Sequence, residues 1–276
     1  MTAADGGASG PVLDHLALAS RRTWDQLDRY GRQFGGRWLG GPSEQENPAF
    51  YFCQLGFANG TKLELIEPNP TPGSDFIRRF LHRNGPGPHH LTFKVTDIET
   101  SMARAGEAGY RVVNADLSDP DWKEAFLHPK ESHGIVIQLA QQGPEAGWEE
   151  PAPLPPSEQG DGTTIDRLTH LVADLDRATV LFGDVLGMEL VDEASDHPLG
   201  PTTQLRSGPW TLRLAAPTAE GPRHWLGDRA GRLLQVEMGV AVPAIIDGLL
   251  PGEGFWELPP ERNLGTRVLV TGRGTG

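Results

Sequence analysis

The sequence predicts an α+β fold: four βαβββ units, paired into open curved sheets in two tandem domains. Three observations lead there. One order of elements, a strand, a helix and then three strands, recurs along the chain. Residues 143–163, GPEAGWEEPAPLPPSEQGDGT, are acidic, rich in Pro and Gly and without hydrophobic period, which marks a stiff linker between two halves. Within the first half, polar residues recur at matched places in the two units. The expected organisation is a frayed tail over 1–10, a first domain over 11–142, the linker, and a second domain over 164–276.

The first unit opens with VLDHLALA (12–19), a short apolar strand. TWDQLDRYGRQF follows, with Thr23 and Gln26 at capping-box spacing and Trp24, Leu27, Tyr30 and Phe34 at helical spacing. FYFCQLGF and TKLELIEP then form a strand pair around Asn59-Gly60, a favoured tight-turn dipeptide. The order returns at residue 90. HLTFKV is a strand, DIETSMARAGEAG a helix capped by Asp97, YRVV a strand, and EAFLHP with GIVIQLA another pair. The second half repeats the pattern more faintly: RLTHLVA, the helix DRATVLFGDVLG, TTQLRS, WTLRLAA, RLLQVEMGV, the helix VPAIIDGLL and a last strand TRVLVTG. Four copies of one small unit describe the whole.

Composition narrows the function classes. The chain has 276 residues and a formal charge of −13, from 24 basic and 37 acidic side chains. Such a surface argues against nucleic acid or an anionic membrane as partner. Cys53 is the single cysteine, so no disulfide framework exists within the chain. The start lacks a basic and apolar leader, and no apolar run reaches the ~20 residues of a spanning helix. A cytoplasmic, soluble protein is expected.

Spacing singles out the functional side chains. His15 lies on the opening strand of the first unit and Glu64 on its closing strand, 49 residues later. In the second unit His90 and Gln138 take the same two roles, 48 residues apart. If the two units pack about a pseudo-twofold, all four residues converge on one cleft. Leu63 and Leu65 flank Glu64, and Ile137 and Leu139 flank Gln138, so each polar side chain stands in an apolar strand. Burial there costs a few kcal/mol unless the group is paired, and a bound metal removes that cost. Strict alternation assigns His90 to the cleft and its neighbour His89 to the opposite face.

The segments DHLALA, KLELIEP, GPGPHHLTFKVTDIE and FLHPKESHGIVIQLAQ, in this order and spacing, resemble the vicinal oxygen chelate superfamily, and within it glyoxalase-like proteins and methylmalonyl-CoA epimerase. The likeness covers residues 12–141 and continues over 165–272 as pattern. It implies one divalent metal held by His15, Glu64, His90 and Gln138. Two imidazoles, a carboxylate and an amide oxygen suit Zn, Fe, Co, Ni or Mn. The implied partner is a small molecule with vicinal oxygens or an acyl thioester, in a monomer or a homodimer.

Two positions depart from the family pattern. Where Gln138 stands, the resemblance calls for a glutamate that acts as a base. The second carboxylate that the epimerase carries near FYFCQLG is also missing. Glu64 is then the carboxylate left beside the metal, ligand and candidate base together, with Glu67, Glu131 and His133 in reserve. The second half keeps His170 on its opening strand, while Arg213, Leu234 and Leu269 replace Glu64, His90 and Gln138. That half is expected to hold no metal, with His170 in the core and Arg213 available to a substrate carboxylate. Arg78, Arg79, His82 and Arg83 form a basic helical stretch before the second opening strand, either a solvated face or an attractor of anions. The implied function is a metal-dependent lyase or isomerase of glyoxalase or acyl-CoA epimerase type. An extradiol-type iron dioxygenase and a non-catalytic, resistance-type binding protein are the alternatives.

Overall fold

The computed structural model describes residues 10–41, 50–69, 75–143, 157, 159–160 and 162–273. The tail expected over 1–10 and the linker expected over 143–163 fall almost wholly outside these residues.

The first half forms one eight-stranded sheet: β1 (Val12–Ala19), β2 (Arg37–Gly40), β3 (Phe50–Gly56), β4 (Lys62–Pro68), β5 (Gly87–Lys94), β6 (Val112–Asp116), β7 (Trp122–Leu127) and β8 (Val136–Gln142). Their spatial order is β2-β3-β4-β1-β5-β8-β7-β6. The central pair β1 and β5 is antiparallel, and each runs parallel to the closing strand of its own unit, β4 or β8. That is the pseudo-twofold. In register, Ala17 faces Glu64 as Thr92 faces Gln138, so His15 and His90 are symmetry mates.

The second half repeats the topology with β9 (Thr164–Val172), β10 (Glu189–Ala194), β11 (Thr202–Ser207), β12 (Trp210–Ala215), β13 (Gly231–Val240), β14 (Leu250–Pro251), β15 (Trp256–Leu258) and β16 (Val268–Gly272). All four expected units are present.

The helices are α1 (Thr23–Gln26), α2 (Phe76–Asn84), α3 (Ile98–Glu107), α4 (Leu175–Thr179) and α5 (Glu220–Leu226). The helix expected over residues 23–34 is short α1 followed by wider π-helical turns, where Phe34 N–H donates to Arg29 O at 3.0 Å. The same turn closes the helix after α4, with Leu186 N–H on Leu181 O at 2.9 Å. Trp24, expected on the apolar face, is 65% exposed; it stands in α1, ahead of the π-helical turns that bury Leu27 and Tyr30. Thr23 does not cap α1; its N–H donates to the Glu67 carboxylate instead. Asp97 caps α3 as expected, accepting from Thr100 N–H at 3.1 Å. The helix expected in VPAIIDGLL reduces to a 3-10 turn at Pro243–Ile245, where Pro starts a turn that the following Gly248 does not extend.

One hydrophobic core binds the halves. Leu13, Leu16, Leu18, Leu63, Leu65 and Leu91 of the first sheet join Leu168, Leu181, Phe182, Trp210 and Leu212 of the second. Backbone contacts reinforce it: Trp210 Nε1 donates to Asp14 O at 3.2 Å, and Asn59 Nδ2 to Ile165 O at 2.8 Å. At the tightest joint His170 Nε2 donates to His133 O at 2.6 Å, beside Gly134 at φ 82°. A Cβ on Gly134 would meet Gly231 O at 1.8 Å, so only glycine admits this approach.

His170 is wholly buried, and burial pushes its imidazole down from 6.5 to about 4. The folded state therefore resists protonation that the unfolded chain accepts. The resulting stability is complete above pH 6.5 and lost as pH falls toward 4, by a few kcal/mol. His170→Gln keeps a donor for His133 O but cannot titrate. Its acid-unfolding midpoint should lie below that of the wild type; an unchanged midpoint would show that other groups set acid stability. Among the described residues no helix is long and apolar enough to cross a membrane.

Candidate metal centre

His15, Glu64 and His90 meet on the concave face of the first sheet, each buried, with one ligand atom from each within 4.8 Å of the others. Glu64 Oε2 lies 3.3 Å from His90 Nε2 and 3.6 Å from His15 Nε2. Three of the four expected ligands are thus brought together. The fourth, Gln138, is one hydrogen bond away: its Oε1 accepts from Thr92 Oγ1 at 2.6 Å, and Thr92 Oγ1 is 2.9 Å from His15 Nε2.

Each imidazole has an outer partner that fixes it. His15 Nδ1 donates to Asp14 Oδ2 at 2.8 Å, and Lys62 Nζ holds the other Asp14 oxygen at 2.8 Å. This leaves His15 Nε2 facing the cluster, an arrangement that raises ligand basicity. His90 Nδ1 is 2.8 Å from His89 Nδ1, which holds the ring with Nε2 facing Glu64. Burial, with His90 beside it, pushes His89 down to about 3, so His89 stays a neutral acceptor.

The contact between these two histidines corrects the expected assignment of His89 to the opposite face. The register of β1 with β5 slips between Ala17–His90 and Leu18–Pro88, which leaves His89 as the extra residue of a bulge. The bulge turns His89 onto the concave side, against Phe76 and Phe80.

Charge at the cluster is strongly coupled. Burial alone would lower His15, but Glu64 and Asp14 outweigh it and raise the imidazole to about 9. Burial alone would raise Glu64, but His15 and His90 hold its carboxyl well below the usual range. Both directions favour the charged form of each partner.

Donors then point one way along a chain. His15 donates to Thr92, Thr92 to Gln138 Oε1, and Gln138 Nε2 to Glu124 Oε2 at 2.7 Å. A metal ion suits this place. It would exchange with the Nε2 proton of His15, keep the charge opposite Glu64, and engage His90 Nε2, a buried nitrogen without a hydrogen-bond partner.

Glu124, which sequence reading passed over, completes the cleft. Its Oε2 also accepts from Trp122 Nε1 at 3.1 Å, and Oε1 takes no hydrogen bond among the described residues. One wall of the cleft is apolar: Ala17, Ala19, Ile66, Ile77 and Leu81, with Phe50, Phe52, Phe76 and Phe80. The reserve residues stand elsewhere. Glu67 serves α1, Glu131 accepts from Arg111 N–H at 2.9 Å, and His133 lies buried at the joint between the halves. On α2, Arg79 pairs with Asp75 and Arg78 donates to Asn69 O, while His82 and Arg83 are exposed.

In the second sheet the register corrects two expected equivalences. Thr169 faces Arg213 and Gln235, as Ala17 faces Glu64 and His90. The counterpart of His15 is therefore Arg167, that of His90 is Gln235, and Leu234 is the bulge residue that matches His89. His170 matches Leu18, which explains its place in the core. Arg213 and Leu269 hold the expected positions, and Arg213 belongs to this second cleft, not to the metal cluster.

Comparison with known proteins bears on the fold. Residues 14–126 match the family model described as the glyoxalase/bleomycin resistance protein/dioxygenase superfamily. An ethylmalonyl-CoA/methylmalonyl-CoA epimerase of Cereibacter sphaeroides is 29% identical over 133 residues, which span 47% of this chain and 96% of that protein. Among solved structures, methylmalonyl-CoA epimerase from Mycobacterium tuberculosis matches 52% of this chain and 95% of its own, at 23% identity and a TM-score of 0.43. A mutant of 4-hydroxymandelate synthase from Streptomyces coelicolor covers 97% of this chain and 95% of its own, at 14% identity and a TM-score of 0.65. That last match extends the likeness of fold across both halves.

Proposed function

We propose, from the match of residues 14–126 to the glyoxalase/bleomycin resistance protein/dioxygenase superfamily model, that the protein is a metal-dependent lyase or isomerase. It moves a proton on the carbon beside a carbonyl, and its substrate class is an acyl thioester. The observation that carries this reading is the buried cluster of His15, Glu64 and His90, their ligand atoms all within 4.8 Å of one another. A dication held by these residues, with Gln138 as fourth donor once it leaves Thr92, would act as Lewis acid on the carbonyl oxygen and favour loss of the neighbouring proton.

The chain's own carboxylates do the proton work. Glutamine at 138 and the lack of an acid on β3 speak against a two-base reaction when the sequence is read alone. Glu124 offers a second carboxylate for one. Gln54 faces Glu64 on the first unit as Phe126 faces Gln138 on the second, so Glu124 is the symmetry mate of Phe52. In place of the acids that the family pattern expects at 138 and on β3, this chain carries Glu64 and Glu124. In this reading Glu64, released from the ion as substrate binds, and Glu124 would act on the substrate carbon from opposite sides. The phenylalanine wall keeps water from the exposed carbanion.

Two histidines with one carboxylate also serve Fe(II) oxygen chemistry, so the test separates the two. Protein restored with Zn or Co is incubated with methylmalonyl-CoA in D₂O without oxygen. Deuterium should enter the carbon next to the thioester. Turnover that strictly requires O₂ and Fe(II) would move the protein to the oxygenases.

A further inference from the structure

The second cleft carries charge that its own contacts do not absorb. On the concave face of the second sheet, Arg167, Arg213 and Gln235 occupy the places of His15, Glu64 and His90, with Glu237 at the place of Thr92. Arg267 is fully engaged: Nε and Nη2 donate to Glu257 at 2.8 and 3.1 Å, and Nη1 to Gln235 Oε1 at 2.6 Å.

Arg167 and Arg213 are not. They share Glu237 at 3.2 and 3.6 Å, and neither guanidinium makes a hydrogen bond among the described residues. Glu237 Oε1 is already taken by Thr169 Oγ1 and Gln235 Nε2, each at 3.2 Å. Arg167 Nε is buried without any partner, and the Arg213 side chain is only 16% exposed. Asp192 on β10 adds a more distant field at Arg213. Two half-buried forks of N–H donors thus converge with most of their donors unmet, in a protein whose net charge is −13. Next to them Leu171, Ala215, Leu226 and Leu234, with Leu199 and Trp225, form an apolar wall.

We infer that the concave face of the second sheet binds a small organic oxyanion with an apolar tail, its carboxylate or phosphate held by Arg167 and Arg213. A planar or tetrahedral oxyanion meets several guanidinium donors at once. The tail lies against the leucines and Trp225. This assignment stands apart from the metal-centre reading and is tested without it.

Full-length protein, freed of metal over a chelating resin, is titrated in a calorimeter with hexanoate, hexyl phosphate, acetate and hexanol. At least one of the two tail-bearing anions should bind, and the tighter one names the oxyanion class. Acetate should bind at least tenfold more weakly, and hexanol should give no heat. Arg167→Met and Arg213→Met should each weaken binding at least tenfold, Arg213→Lys should weaken it less, and Arg206→Met, at an exposed pair with Glu189, should leave it unchanged. Absence of binding by both tail-bearing anions at about 10 mM overturns the assignment. So does equal binding of hexanol and hexanoate, or wild-type affinity in folded Arg167→Met and Arg213→Met. Should the methionine variants fail to fold, wild-type affinity in Arg213→Lys together with equal binding of acetate overturns it as well.

Discussion

His15→Ala combined with His90→Ala should yield a folded protein that no longer retains a divalent metal, whereas the wild type should hold about one per chain. Each change deletes a nitrogen that faces Glu64 Oε2, at 3.6 and 3.3 Å. Loss of a direct ligand should exceed the ~10–100-fold penalty for loss of an outer partner. Asp14→Asn probes that smaller effect: it removes the charge that orients His15 Nδ1 and should weaken metal affinity by ~10–100-fold while the fold persists. His170→Gln should leave the metal in place, because its ring sits in the joint between the halves. Elemental analysis after dialysis against a weak chelator reads all four proteins. Metal retained by the double variant, or two ions per wild-type chain, would sink the assignment.

The cluster of His15, Glu64 and His90 was legible because symmetry leaves a numerical trace. His15 with Glu64 and His90 with Gln138 keep nearly the same offset, and a polar residue inside an apolar strand demands a partner. The βαβββ order was legible for a related reason, since alternation and helical period change at each boundary. What stayed hidden lies where local rules break. His89 defies alternation because the bulge in β5 inserts an extra residue, and no residue type announces it. The same bulge recurs at Leu234, so Leu234 looks like the mate of His90 when Gln235 is; on β9 the histidine at 170 drew attention away from Arg167, three residues earlier, which register pairs as His15 is paired. Arg167 carried no signal as a partner of Arg213, because the two meet only through register. Glu124 was hidden for the opposite reason. In WKEAFL its direct neighbours Lys123 and Ala125 do not frame it with large apolar residues, and a glutamate on a half-buried strand reads as a solvent-facing one until the closing strand puts Gln138 beside it. Sequence thus exposes residues that violate their surroundings, and register exposes those that do not.

Glu124→Gln should uncouple proton exchange from inversion. If Glu64 and Glu124 serve opposite sides of the substrate carbon, inversion needs one to take a proton and the other to give one. Glutamine at 124 keeps the size and an acceptor for Trp122 Nε1 but removes the basicity. Inversion should then fall by the ~10²–10⁴-fold that a general acid or base contributes. Deuterium should still enter from the Glu64 side, into one stereoisomer of the substrate and with its configuration retained. Glu64→Gln, compared at matched metal content because it also removes ligand charge, should give the mirror outcome: exchange in the other stereoisomer survives and inversion falls equally. Chiral analysis of methylmalonyl-CoA recovered from D₂O reads both rates in one sample. Inversion at the wild-type rate in Glu124→Gln would leave Glu124 as a positioning residue for Gln138 and return the proton work to Glu64 alone. Loss of exchange in both stereoisomers on Glu64→Gln, with Glu124→Gln silent, would say the same from the other side. A further variant tests Glu124 from the side of its neighbour. Gln138→Glu restores the family's carboxylate beside Glu124, where two acids would crowd one side of the cleft. Repulsion between them should raise one pKa, so its pH profile should shift upward while that of the wild type stays put.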